Sequence, residues 1–185
     1  MQVELKRIQR SVGITTIFVT HDQSEALSLS DRIAVMAQGA VQQLSAPADL
    51  YRKPANSFVA SFVGEVNRLP CALREEGDAV VLSSGDVELR LPRARAAGTP
   101  AGEAMLYVRP EALSVEEAGT ARANLGRATV DAHIYQGTHV DLIVRAENGW
   151  LLRVRHRGYE ALERWPVGCG IGVGVDLAEA YLFSA

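Results

Sequence analysis

Residues 14–44 read ITTIFVTHDQSEALSLSDRIAVMAQGAVQQL. Residues 15–20 are an apolar, β-branched run, short enough for a strand buried on both faces. The run stops at His21-Asp22, where polar side chains can face a crevice. Open α/β sheets bind ligands beyond the carboxyl ends of their strands. Asp22 is placed to cap a helix over residues 23–30, and Glu25 to reach back to it in a variant of the capping box. Ile33, Val35 and Ala37 before Gln38-Gly39, with Val41 and Gln43 after it, predict a hairpin.

The flanks extend the pattern. Residues 2–11 predict a helix with Leu5, Ile8 and Val12 on one face, Lys6, Arg7 and Arg10 elsewhere, and Gly13 to close it. Pro47 opens a short helix that ends by Lys53-Pro54. Asn56 caps a second helix over residues 57–63, which Gly64 closes. A domain boundary is expected within residues 64–70. From Cys71 onward the chain reads as strands, at residues 79–82, 87–91, 105–109, 113–115, 127–135, 140–145, 150–155 and 170–175. Gly77-Asp78, Gly85-Asp86 and Asn148-Gly149 supply turns. Residues 93–102 read as a loop and 116–124 as a polar crossing. LYVRPEALSV and VGVDLAEAYLF close two sets of strands alike, which points to half-repeats at 66–115 and 125–183. Many short strands at close spacing favour a closed or half-closed barrel, because closure hides edges.

The run T-x-F-V-T-H-D-Q-x-E-A-L-x-L-S-D-R-I-A-V-M-x-x-G resembles the histidine-loop region of ABC-transporter ATPases, of the polyamine, ferric-iron and maltose importer type. PADLYRKPANSFVASFVGEVN, residues 47–67, is similar to the same family, where it leads out of the nucleotide-binding domain. RPEAL and YQGTHVDL resemble the transport-associated OB-type (TOBE) domain appended to these ATPases, most closely at Arg109, Pro110, Glu111, Gly137 and Thr138.

The resemblance implies an α+β chain. Residues 1–64 would be the α/β C-terminal remnant of a nucleotide-binding domain, and residues 65–185 an all-β, OB-like TOBE domain. His21 inherits contact with the γ-phosphate of ATP in the full-length protein. ATP and magnesium are the cofactors implied there, and none is expected for this chain alone. G-x-x-x-x-G-K-[ST], L-S-G-G-Q and a strand ending in Asp-Glu do not occur in these 185 residues. The chain is therefore expected to be the carboxy-terminal part of such an ATPase, with a regulatory and dimerising role and no ATP turnover of its own. Residues 1–44 are expected as an orphaned fragment, disordered or repacked against another copy. The implied partners are a second copy and membrane permease subunits, with no nucleic acid and no direct membrane insertion. The implied location is cytoplasmic, on the inner face of the membrane. Polyamine is the first expectation for the solute, ferric iron or sugar the next.

Composition is compatible with this. At 185 residues and 48% hydrophobic, the chain suits one or two domains. A net charge of −3 speaks against a general nucleic-acid binder, which needs a basic face. No signal peptide is read at the start, and no apolar run reaches ~18 residues. Cys71 and Cys169 lack metal or redox spacing and are expected as reduced thiols. A metal site would need His133, His139 or His156 to converge with Asp131 or Asp141, and none is expected. Arg153, Arg155 and Arg157, with His156, read as a solvated basic strand face that discourages edge pairing. Trp150 and Trp165 read as core or interface anchors. G-x-S-x-G is absent, and neither cysteine has a histidine nearby. The rival reading is a free-standing OB-like module for a small anion or oligonucleotide, with residues 1–44 as an accessory arm.

Overall fold

A computed structural model describes residues 2–96, 98–120 and 124–185. The chain forms two compact units, Met1–Gly64 and Glu65–Ala185.

The first unit runs α1 (Gln2–Val12), α2 (Gln23–Leu29), β1 (Ile33–Ala37), β2 (Ala40–Ser45), α3 (Pro47–Arg52) and α4 (Ser57–Phe62). Strands β1 and β2 pair antiparallel around Gln38-Gly39. Both turn residues hold positive φ, 50° and 76°, which a two-residue turn of matching twist requires. Pro47 sits in the first turn of α3. The Asn56 side chain caps α4 by accepting from the Val59 N–H at 2.9 Å. Val35, Leu50, Val59 and Val63 form a small core, with Leu27, Ile33 and Tyr51 packed against it.

Residues 14–20 are not a strand. Ile17 and Val19 are 91% and 92% exposed. A strand exists through its ladder, because its N–H and C=O groups need partners. Among the described residues none pairs with this run; β1 is paired with β2 alone. Apolar, β-branched composition suits a strand but cannot supply the missing neighbour.

The second unit is all-β apart from short helical turns. It contains β3 (Asn67–Glu76), β4 (Ala79–Ser84), β5 (Val87–Pro92), β6 (Gly102–Val108) and β7 (Leu113–Glu116). It continues with β8 (Arg127–Tyr135), β9 (Val140–Ala146), β10 (Leu151–His156), α5 (Glu160–Arg164), β11 (Gly170–Val175) and β12 (Ala180–Ser184). The expected crossing at 116–124 includes residues 121–123, and the expected loop at 93–102 includes Ala97; these four lie outside the described residues.

The strands make two five-stranded antiparallel sheets, β12-β6-β3-β4-β5 and β7-β11-β8-β9-β10. The two orders are the same pattern, and each sheet takes an outer strand from the other half of the unit. Strand β12 joins β6, and β7 joins β11. Leu69, Leu82 and Leu106 of one sheet share a single core with Leu142, Val154 and Ile171 of the other, and Trp150 and Trp165 are buried in it.

The outer edge of β12 is covered by polar side chains. Arg95, in a 3-10 turn over Arg93–Ala96, donates from Nη2 to the Leu177 carbonyl at 2.9 Å, and also to those of Ala178 and Ala180. The Thr99 hydroxyl donates to the Leu182 carbonyl at 3.2 Å. Arg95→Ala is expected to lower stability by about 1 kcal/mol, the net scale of a lost hydrogen bond. Urea unfolding measures this, and an unchanged midpoint would make the contacts energetically idle.

Candidate functional site

His21 stands exposed at a bend between the irregular run and α2. Among the described residues neither ring nitrogen has a hydrogen-bond or ionic partner. The backbone around it is braced. The Asp22 N–H donates to Thr20 Oγ1 at 2.9 Å, and Thr20 Oγ1 donates to Glu25 Oε2 at 3.0 Å. Asp22 Oδ1 accepts from the N–H groups of Ser24 and Glu25 at 2.8 and 3.1 Å, so Asp22 caps α2 as expected. Glu25 does not reach back to the Asp22 N–H. The Thr20 hydroxyl, both donor and acceptor, stands between them and relays the bond. Gln23, part of the quoted H-D-Q-x-E-A run but given no role there, accepts from the Gly64 N–H at 2.8 Å and donates to the Phe62 carbonyl.

The second unit holds a buried charge cluster. Asp141 on β9 has no exposed side-chain surface. The Arg155 guanidinium, from the facing position on β10, grips it through Nε and Nη2 at 2.8 and 2.9 Å. This two-pronged geometry is the strong form of the ion pair. Arg155 also donates to Glu65 Oε2 at 2.6 Å, and Arg153 binds the other oxygen of Glu65. Arg153 Nη1 lies 3.7 Å from Asp141 Oδ2, and His139 Nε2 lies 3.6 Å from Asp141 Oδ1. Burial alone would raise the Asp141 carboxyl. The hydrogen bond and charge of Arg155, with His139 and Arg153 beyond it, outweigh burial and hold it below the usual carboxylate range. The bond to Asp141 pushes Arg155 up in turn, against burial.

These contacts correct the reading of Arg153 and Arg155 as a solvated face. Their side chains are only 33% and 26% exposed and are committed to carboxylates. Arg157 is exposed. Asp131 pairs with Arg145 at 2.6 Å, and His133 Nε2 meets the Trp165 carbonyl at 2.8 Å. Among the described residues no three His, Cys, Asp or Glu side chains are grouped to hold a metal. Cys71 and Cys169 are free, and burial pushes the Cys71 thiol up. Among the described residues no helix is long and apolar enough to cross a membrane.

Asn67 completes the cluster's surroundings. Its Oδ1 accepts from the Arg153 N–H at 2.7 Å, and its Nδ2 donates to the Arg153 and Val108 carbonyls at 2.9 and 3.3 Å. One carboxamide on β3 thus occupies both main-chain groups of a residue on the edge strand β10. Glu65 and Asn67 lie within the quoted run of residues 47–67, but their roles were missed because their partners are not their neighbours in sequence. Their partners lie far along the chain, 86 residues away for Asn67 and Arg153.

Residues 106–183 match the model of the TOBE domain. The chain is 41% identical over 178 residues to the spermidine/putrescine import ATP-binding protein PotA of Roseobacter denitrificans, covering 96% of this chain and 49% of that protein. The chain is homologous to the ATP-binding subunits of ABC importers. The corresponding protein of Rubrobacter xylanophilus is 47% identical over 160 residues, with 85% of this chain and 41% of that one covered. The Fe(3+) ions import ATP-binding protein FbpC of Agrobacterium fabrum is 39% identical over 157 residues, covering 84% and 43%. The chain thus spans about half the length of these relatives. It corresponds to their C-terminal part, and its second unit has the OB-like TOBE fold. The cytoplasmic molybdate-binding protein ModG is a solved structure of similar form, at a TM-score of 0.49 and 15% identity, over 65% of this chain and 96% of that one.

Proposed function

We propose that this chain is the regulatory and dimerising C-terminal portion of an ATPase subunit that powers solute uptake. The observation that carries the reading is His21, exposed at the head of a braced turn, in a chain whose relatives are named import ATP-binding proteins. Polyamine is the first proposed solute, ferric iron or sugar the next. The permease partners and a place on the inner face of the membrane follow from the same reading.

The residues present fit part of a nucleotide site. His21 offers a free imidazole, able to donate to a phosphate oxygen. The glycine-rich loop that cradles phosphates is not among these 185 residues. When bound, ATP with magnesium supplies the phosphoryl group whose transfer drives uptake. The part of His21 is to hold a proton at a ring nitrogen and present it to the terminal phosphate. Thr20, Asp22 and Glu25 fix the backbone from which that ring projects.

The test is His21→Ala in a polypeptide of the relatives' full length that carries these 185 residues. Turnover is expected to fall ~100-fold, the scale for losing one transition-state donor, with nucleotide affinity kept. Near-normal turnover would reduce His21 to a structural residue.

Self-association is part of the proposal. Exposed Ile17 and Val19 supply apolar surface, and a two-fold dimer is the commonest closed solution. Sedimentation of the whole chain is expected to give a dimer. A monodisperse monomer at high micromolar concentration would refute it.

A further inference from the structure

We propose that Gln23 is a positioning residue that ties the His21 turn to the exit of the first unit. Through it, a displacement of residues 62–64 is felt at His21. The inference rests on the role proposed for His21. Its basis is one side-chain amide spent on two backbone groups, the Phe62 carbonyl and the Gly64 N–H. Phe62 ends α4, where a helix leaves carbonyls without internal partners. Gly64 holds a φ of 75°, a left-handed conformation in which a side chain is strained, and it is the last residue of the first unit. At the other end of the link, Gln23 is the first residue of α2. Asp22 precedes it, caps the helix and is hydrogen-bonded through Thr20, on the far side of His21. A short chain of directional bonds therefore runs from Gly64 to the residues on either side of His21, across 41 positions of sequence.

A competing link exists. Leu27 of α2 packs against the core that contains Val59 and Val63. That contact is non-directional and fixes no register between α2 and the exit. The amide bonds do, because they demand one donor and one acceptor at set positions. Only a side chain with both makes both bonds. Glutamate keeps the acceptor for Gly64 and loses the donor for Phe62, while alanine loses both.

Hydrogen exchange and histidine NMR on the intact chain, without nucleotide, test this. In Gln23→Ala, the Gly64 amide is expected to exchange about tenfold faster, the scale of one or two lost hydrogen bonds. The Ser24 and Glu25 amides are expected to speed up with it, and the His21 ring resonances to shift. Exchange at Val35 and throughout the second unit should stay unchanged. Gln23→Glu should restore much of the Gly64 protection and, with the Phe62 bond lost, leave the His21 resonances shifted part of the way. A Gly64 amide that is no faster in Gln23→Ala would refute the tether. Faster Gly64 exchange with Ser24, Glu25 and the His21 ring unmoved would refute the transmission. If Gln23→Ala melts the first unit, seen as lost protection at Val35, Gln23→Glu decides. A shifted His21 ring with Val35 protected supports the link, and an unmoved ring overturns it. Failure of the His21 proposal would show in turnover, whereas failure of the tether shows in exchange.

Discussion

Asp141→Ala is expected to destabilise the second unit by about 3–5 kcal/mol, the range for removing one partner of a buried ion pair. The carboxylate is buried, and Arg155 holds both its oxygens. Truncation leaves the Arg155 guanidinium with Glu65 alone and leaves a gap beside Arg153. The wild-type cluster balances two carboxylates against two guanidinium groups, and the variant carries an excess positive charge in a half-buried place. Both tryptophans of the chain lie in this unit, so fluorescence-detected urea unfolding reads its stability without the other. The sign of the pH dependence follows from the depressed carboxyl of Asp141. Its contribution is complete above the unfolded aspartate value of about 4 and is lost as pH falls through the lower folded value. The variant should therefore lose less stability on acidification below about pH 4 than the wild type does. A loss under about 1 kcal/mol at neutral pH, the scale of an exposed pair, would mean that water screens the cluster.

Asn67→Ala is the second large effect, a loss of about 3 kcal/mol from three hydrogen bonds at roughly 1 kcal/mol each. The side chain is buried and bridges β3, β6 and β10. Its removal strands the main-chain N–H and C=O of Arg153 on the outermost strand of a sheet. An exposed edge invites pairing with another chain, so the variant should also aggregate more readily. Asn67→Asp separates the two roles. It can still accept from the Arg153 N–H but faces two carbonyls without a donor. Urea midpoints with light scattering measure both effects. Wild-type stability in Asn67→Asp would show that the Nδ2 bonds contribute nothing.

What could be read beforehand was local. Gln38-Gly39 and Asn148-Gly149 encode their turns in two residues, and β8 and β11 lie where their apolar periodicity put them. Asp22 and Asn56 announce their helices because a cap acts within three residues. Residues 15–20 misled for the opposite reason. Their composition suits a strand, but pairing is a property of the neighbour, and no described residue is that neighbour. The five-residue α5 gave no periodic signal and was missed. At the candidate sites, His21 was singled out by its surrounding motif. Glu65, Asn67 and Gln23 were not, because each acts on a residue distant in sequence. The alternation of Arg153 and Arg155 was visible, but not that Asp141 faces Arg155 across the ladder.

The traded outer strands set an order of events in folding. Ala180 pairs with Val108, and Ser184 with Ala104, so β12 closes a sheet whose other strands precede it by a long stretch of chain. During synthesis that sheet has four strands and an open flank until the final strand emerges, although β7 is already available to serve the other sheet. Such late, non-local pairing slows folding and prolongs the exposure of unpaired edges. Until β12 arrives, the β6 flank of the nascent unit stays open to pairing with another chain.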